Sequence, residues 1–151
     1  MGYRKIVTTK DEEFLRKISR PVEVFDEKLG KLLDDMRETM YRADGVGLAA
    51  PQIGLLKRIA VVDTDGTNYV ELVNPEILET QGSVTDVEGC LSVPRVRGEV
   101  PRPEKCTVRA YDRHGKPFTL KAEGFYCRAI CHECDHLDGI LFIDKATRIS
   151  E

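Results

Sequence analysis

Leu29, Leu32, Leu33, Met36 and Met40 recur three and four positions apart, and charged residues fill most of the positions between them. That period predicts a helix over 26–43 with one apolar stripe turned to a core. Asp26 is a residue type that caps a helix start, and Asp44-Gly45 supplies residues that tolerate a positive φ at the end. A second helix is predicted over 124–137. Between the two, the pattern is that of strands. Arg58 to Asp63 reads as a buried strand, Tyr69 to Val73 follows an Asp65-Gly66 turn, and Ile77 to Thr80 reads as a further strand. Lys105 to Tyr111 and Pro117 to Glu123 alternate on either side of Asp112-Arg113-His114-Gly115, a hairpin signal. Strands outnumber helices and are joined by short turns. The fold class expected is therefore α+β, with antiparallel sheets packed around a central α-helix at 124–137 plus an N-terminal helix, and not a doubly wound sheet. There is no repeat, low-complexity tract or linker, so residues 1–151 read as one domain.

Composition narrows the function classes. Apolar residues make up 41% of the 151 positions, which with twelve glycines is the range of a globular domain. Lys and Arg number 23 against 26 Asp and Glu, a net charge of −3, so no single-sign field directed at nucleic acid or an anionic membrane is expected. No apolar run approaches the ~18 residues of a membrane span. Met1-Gly2-Tyr3-Arg4-Lys5 leads into Thr8, Thr9, Lys10 and Asp11 without the apolar core of an export signal, and Ile6 stands where a myristoylation pattern wants Ser or Thr. Five cysteines, an odd count, then point to free or metal-bound thiols in a reducing, cytoplasmic setting.

The chemistry begins at His132-Glu133-Cys134-Asp135-His136. Residues four apart on a helix lie one turn above each other, so both imidazoles can reach one metal ion while Glu133 reaches a water on it. At ~100° per residue, Phe125, Ala129, His132, Glu133 and His136 share one helix face, and Cys127, Ile130, Cys131, Cys134 and Leu137 share the other. The cysteine face reads as core. A second, closed metal site among Cys127, Cys131 and Cys134 is not expected, because the one CxxC spacing, Cys131 to Cys134, has no second such pair to close a tetrahedral centre. Cys106 also reads as a core residue.

Two histidines leave the ion short of a third ligand. Only fifteen residues follow His136, and Phe142 stands where one class of zinc peptidase places its third histidine. An upstream ligand is required, and His114 and Cys90 are the candidates. His114 lies in a polar turn. Cys90 lies in Glu88-Gly89-Cys90-Leu91-Ser92, where Gly89 permits close backbone approach. Separately, Gly45-Val46-Gly47-Leu48-Ala49-Ala50-Pro51-Gln52 follows a helix and runs into Pro51, which is the wrong context for a dinucleotide loop. Its small residues suit an exposed strand edge against which a peptide can lie.

Taken in order, GVGLAAPQ at 45–52, EGCLS at 88–92 and HECDH at 132–136 make the chain similar to the peptide deformylases, over almost its whole length. The resemblance implies removal of the formyl group from N-formylmethionine on nascent chains, near the ribosome surface, with release of formate. It implies a divalent ion on Cys90, His132 and His136, Fe²⁺ in the native state and Zn²⁺ or Ni²⁺ as purified. Glu133 is then general base and acid, and the Gln52 amide and the Leu91 N–H receive the oxyanion. Val46, Gly47 and Gly89 bind the substrate backbone. Val46, Phe125 and Ala129 line the methionine pocket, Arg97 lies at its mouth and Glu88 supports the site. Two departures stand out: Cys131 occupies a position where many members have Gln, and many bacterial members carry a further C-terminal helix. A zinc endopeptidase and a non-catalytic metal-stabilised binding module are the competing readings. The first lacks its downstream ligand; the second leaves Glu133 and Gln52 without a role.

Overall fold

The computed structural model describes residues 2–151; Met1, the first residue of the basic start, lies outside them. Helices α1 (Glu12–Leu15), α2 (Glu27–Arg42), α3 (Gly124–Leu137) and α4 (Phe142–Lys145) combine with eight strands. Strands β1 (Gly47–Ala49), β2 (Ile59–Val62), β3 (Val70–Gln81), β6 (Lys105–Tyr111) and β7 (Pro117–Glu123) form a sheet in the order β1-β2-β3-β6-β7. Strands β4 (Val84–Cys90), β5 (Val93–Arg102) and β8 (Arg148–Ser150) form a second sheet in the order β4-β5-β8. All the pairings are antiparallel, as the α+β expectation requires.

The two long helices form for the reasons their sequence states. Asp26 accepts a hydrogen bond from the Leu29 N–H at the start of α2, and Asp44 takes the left-handed conformation (φ 57°) just beyond its end. Gly45 is needed for a different reason: a Cβ there would lie 2.8 Å from Leu91 Cδ1. Leu32, Leu33, Met36 and Met40 pack on Ile59, Val61 and Val73 of the large sheet. Val62 and Leu72 belong instead to the cluster built by α3, with Val108, Ala110, Ala122 and Ile130. The unbroken apolar run of β2 thus follows from period-two alternation between two helices, one on each face of the sheet.

One reading is corrected. Tyr69 to Val73 and Ile77 to Thr80 are parts of one strand, β3, whose pairing with β6 shifts register between Val73 and Glu76 and again between Ile77 and Glu79. Asn74 (φ 51°) precedes Pro75, and that irregularity broke the alternation without ending the strand. The helix wheel divided α3 into two faces. Both faces are present, Cys127, Ile130, Cys131 and Cys134 in the core cluster and Phe125, Ala129, His132 and Glu133 against a cavity; every residue from Cys127 to Leu137 except Asp135 is nonetheless buried. Arg128, assigned to neither face, is 5% exposed.

The C-terminal end of α3 receives the N-terminal segment. Ser19 N–H donates to Leu137 O, and Gly139 (φ 73°) lies so close to Arg16 that a Cβ would fall 2.2 Å from its carbonyl oxygen. Gly139→Ala adds left-handed strain to that clash. It is expected to destabilise by about 2 kcal/mol or more, lowering the thermal midpoint by ~4–8 °C, read by calorimetry.

Candidate functional site

Three elements bring the ligating atoms together. Helix α3 presents His132 and His136 one turn apart, with ring centroids 5.1 Å apart. The end of β4 supplies Cys90, whose Sγ lies 3.3 Å from His136 Nε2. Ligand atoms of Cys90, His132 and His136 all fall within 4.8 Å of one another. His114 is in the β6–β7 turn, its backbone N–H bonded to Asp112 Oδ1, and belongs to no such group among the described residues. Phe142, at the place of an absent third histidine, stacks on His132 at 6.2 Å and 24° and is a buried wall of the site.

The donor set fits a divalent transition-metal ion. A thiol and two imidazoles are the ligand types such ions take, and three protein ligands leave a position open. His132 Nδ1 is held by Glu88 Oε1 at 2.9 Å, which leaves Nε2 for an ion. His136 Nδ1 and Glu133 Oε1 are buried without a hydrogen-bond partner.

Glu88 is more than a pocket wall. Its carboxylate accepts from Arg102 Nε at 2.9 Å and Nη2 at 3.0 Å, and from Arg128 Nη1 at 2.6 Å, besides meeting His132. Burial alone would raise its pKa, but His132 and Arg102 pull it down to about 2. Arg128 also donates to Val100 O and Val84 O, clamping β4 and β5 to α3. Arg102 reaches on to Asp135 at 2.6 Å. Neither arginine was singled out in the sequence. A lone Arg in an apolar helix was the available signal for Arg128; Arg102, between prolines 101 and 103, offered none.

Glu133 is buried, and burial pushes its carboxyl up to about 7. It lies against the backbone of β1, where a Cβ on Gly47 would come 2.5 Å from Glu133 Oε2. His136 is held well below the ordinary imidazole range by burial and by the neighbouring charge on His132. Burial opposes charge on His132 as well, but Glu133, Cys90 and Glu88 outweigh it and raise that pKa.

Gln52 is buried in the turn after β1. Its Oε1 accepts from the Ala49 N–H at 2.9 Å, which fixes the amide so that Nε2 faces Cys90 Sγ (3.6 Å) and Ser92 Oγ (3.2 Å). Ser92, fully buried, is a further residue that the sequence motif contained without its role being visible. The N-terminal segment braces both: Val7 N–H donates to Gln52 O and Thr9 N–H to Ser92 O.

A cavity of about 380 Å³ opens at this point. Val46, Gly47, Gly89, Leu91, Arg97, Phe125 and Ala129 line it together with Gln52, Glu88, Cys90, His132 and Glu133. His136 lies behind that lining. Arg97 folds over Gly89 so closely that a Cβ would lie 2.0 Å from its Nη1. Among the described residues β1 pairs only with β2, and β4 only with β5, so each sheet ends in an unpaired edge next to the cavity.

Comparison with known proteins agrees with this geometry. The sequence profile of the family described as Polypeptide deformylase matches residues 3–151. The chain is 61% identical to the peptide deformylase of Caldicellulosiruptor bescii over 148 residues, covering 98% of this chain and 88% of the relative. It is 55% identical to peptide deformylase 1 of Bacillus subtilis over 149 residues, 98% and 92% of the two chains. Among solved structures, peptide deformylase from Legionella pneumophila superposes with a TM-score of 0.91 at 50% identity, covering 96% of this chain and 86% of that one. The Thermotoga maritima enzyme gives 0.92 at 41% identity, with 96% and 98% covered. The chain belongs to the peptide deformylase family, a family of hydrolases.

Proposed function

We propose that residues 1–151 act as one catalytic domain that removes the formyl group from N-formylmethionine at the start of new polypeptides in the cytoplasm. The observation that carries the proposal is the grouping of Cys90, His132 and His136 beside a cavity that Gln52 and Glu133 also line and that two free strand edges border. Cys90, His132 and His136 would hold the ion, with Fe²⁺ proposed as native and Zn²⁺ or Ni²⁺ as substitutes. A bound divalent ion supplies Lewis acidity and lowers the pKa of a water from ~15.7 towards ~7.

The chain's own residues do the rest. A substrate backbone adds as a strand between β1 and β4, using main-chain groups of Val46, Gly47 and Gly89. Val46, Phe125 and Ala129 receive the methionine side chain, and Arg97 stands at the mouth. Glu133 takes the proton of the attacking water as its oxygen bonds to the formyl carbon. Negative charge moving onto the formyl oxygen is met by Gln52 Nε2–H and the Leu91 N–H. Gln52 needs no rearrangement to do this, because Ala49 already holds its carbonyl end. As the C–N bond breaks, Glu133 returns the proton to the amine nitrogen, so formamide and water become formate and amine. A nascent chain at the ribosome surface is the proposed physiological partner. No described helix is long and apolar enough to cross a membrane.

The test is formate release from formyl-Met-Ala by anaerobically purified protein, with metal content measured on the same sample. Glu133→Ala is expected to keep its metal and lose ~10²–10⁴ in kcat. An active variant contradicts the assigned role. Gly47→Ala drives a methyl group into the Glu133 carboxylate. It is expected to cost ~10²-fold in kcat through misplacement of the carboxylate, at unchanged metal content and with the thermal midpoint lowered by a few degrees through overpacking. Gln52→Leu removes one oxyanion donor and is expected to lower kcat ~10²–10³-fold, with KM little changed.

A further inference from the structure

Outside the catalytic cavity, the structure gathers sulfur at one more place. Cys106 on β6 meets Cys127 and Cys131, one turn apart on α3, with the three Sγ atoms all within 4.8 Å of one another. The helix wheel had grouped Cys127 and Cys131 with Cys134. The structure replaces Cys134 with Cys106, a residue that sequence spacing could not bring in. All three are buried. Some point lies within about 2.8 Å of every member of a triangle of that size; thiolate bonds to a d¹⁰ ion are ~2.3 Å. Small χ1 adjustments close the difference.

We propose that Cys106, Cys127 and Cys131 form a three-coordinate site for a soft monovalent d¹⁰ cation, Cu(I). Thiolates select soft ions, and Cu(I) is satisfied by three sulfurs, whereas Zn²⁺ completes its shell with a fourth donor. No fourth His, Cys, Asp or Glu joins this group among the described residues. Each ligating thiol gives up its proton to solvent, and the ion keeps its oxidation state. Cys127 S–H donates to the Pro103 carbonyl at 3.4 Å, a contact that binding the ion has to break. An ion here ties α3 to the large sheet one residue before His132.

The experiment uses the whole chain, with the Cys90 site filled beforehand with Ni²⁺. Cu(I) is offered anaerobically in competition with a Cu(I)-specific chelator. One equivalent per chain is expected, with X-ray absorption showing three sulfur neighbours and no nitrogen, and with a rise in thermal midpoint. Cys106→Val and Cys127→Ala are each expected to weaken uptake at least ~100-fold, and Cys90→Ser to leave it intact. The wild-type absorption spectrum decides even if a core variant fails to fold. Copper with nitrogen neighbours, uptake that follows Cys90, no uptake against the chelator, or a disulfide in place of bound ion would overturn the proposal.

Discussion

Glu88 is the charge on which the site's architecture rests. At 7% exposure it remains ionised because Arg102, Arg128 and His132 all point at its two oxygens. Those partners come from β5 and α3, so one carboxylate on β4 joins the small sheet to the central helix and sets the tautomer of an imidazole. Buried ion clusters of this kind contribute little net stability compared with apolar packing, but removing one partner strands the others at ~3–5 kcal/mol. The cluster therefore acts as a register constraint. Cys90 is two residues along β4 from Glu88, and its sulfur can meet His136 only if that strand is docked at this height.

The second constraint is space. Gly47 and Gly89 face the cavity, and each is pressed by a functional side chain, Glu133 and Arg97 respectively. A buried carboxylate that lies flat on a strand needs a residue without a side chain beneath it. The Gly47 position and the Glu133 position are therefore one structural decision.

Much of this was legible in the residues. The helix over 124–137, the Asp26 cap and the 105–123 hairpin came from periodicity and turn chemistry, because local pattern and tertiary environment agree there. The β4–β5 hairpin did not. Pro94 and Pro101, an Arg95 at φ 68° and charges scattered singly along the segment masked the strands, which pair within a small, half-exposed sheet. Within the site, His132, Glu133 and His136 were visible through helical spacing, and Cys90 and Gln52 through the family resemblance. Those that orient them were visible only once the chain was folded: Ser92 beneath Gln52, and Arg102 and Arg128 around Glu88. Their partners lie fourteen to forty positions away. Cys106 shows the same limit, since its neighbours are set by how a strand and a helix pack.

The central claim is spatial: one sulfur and two ring nitrogens, from separate parts of the chain, hold one cation. Anomalous diffraction from crystals of the Ni²⁺- or Zn²⁺-loaded protein tests it most directly. The account predicts a single strong peak ~2.3 Å from Cys90 Sγ and ~2.0–2.1 Å from His132 Nε2 and His136 Nε2. A peak bonded to the histidines but not to Cys90, or one lying beside His114, would contradict it.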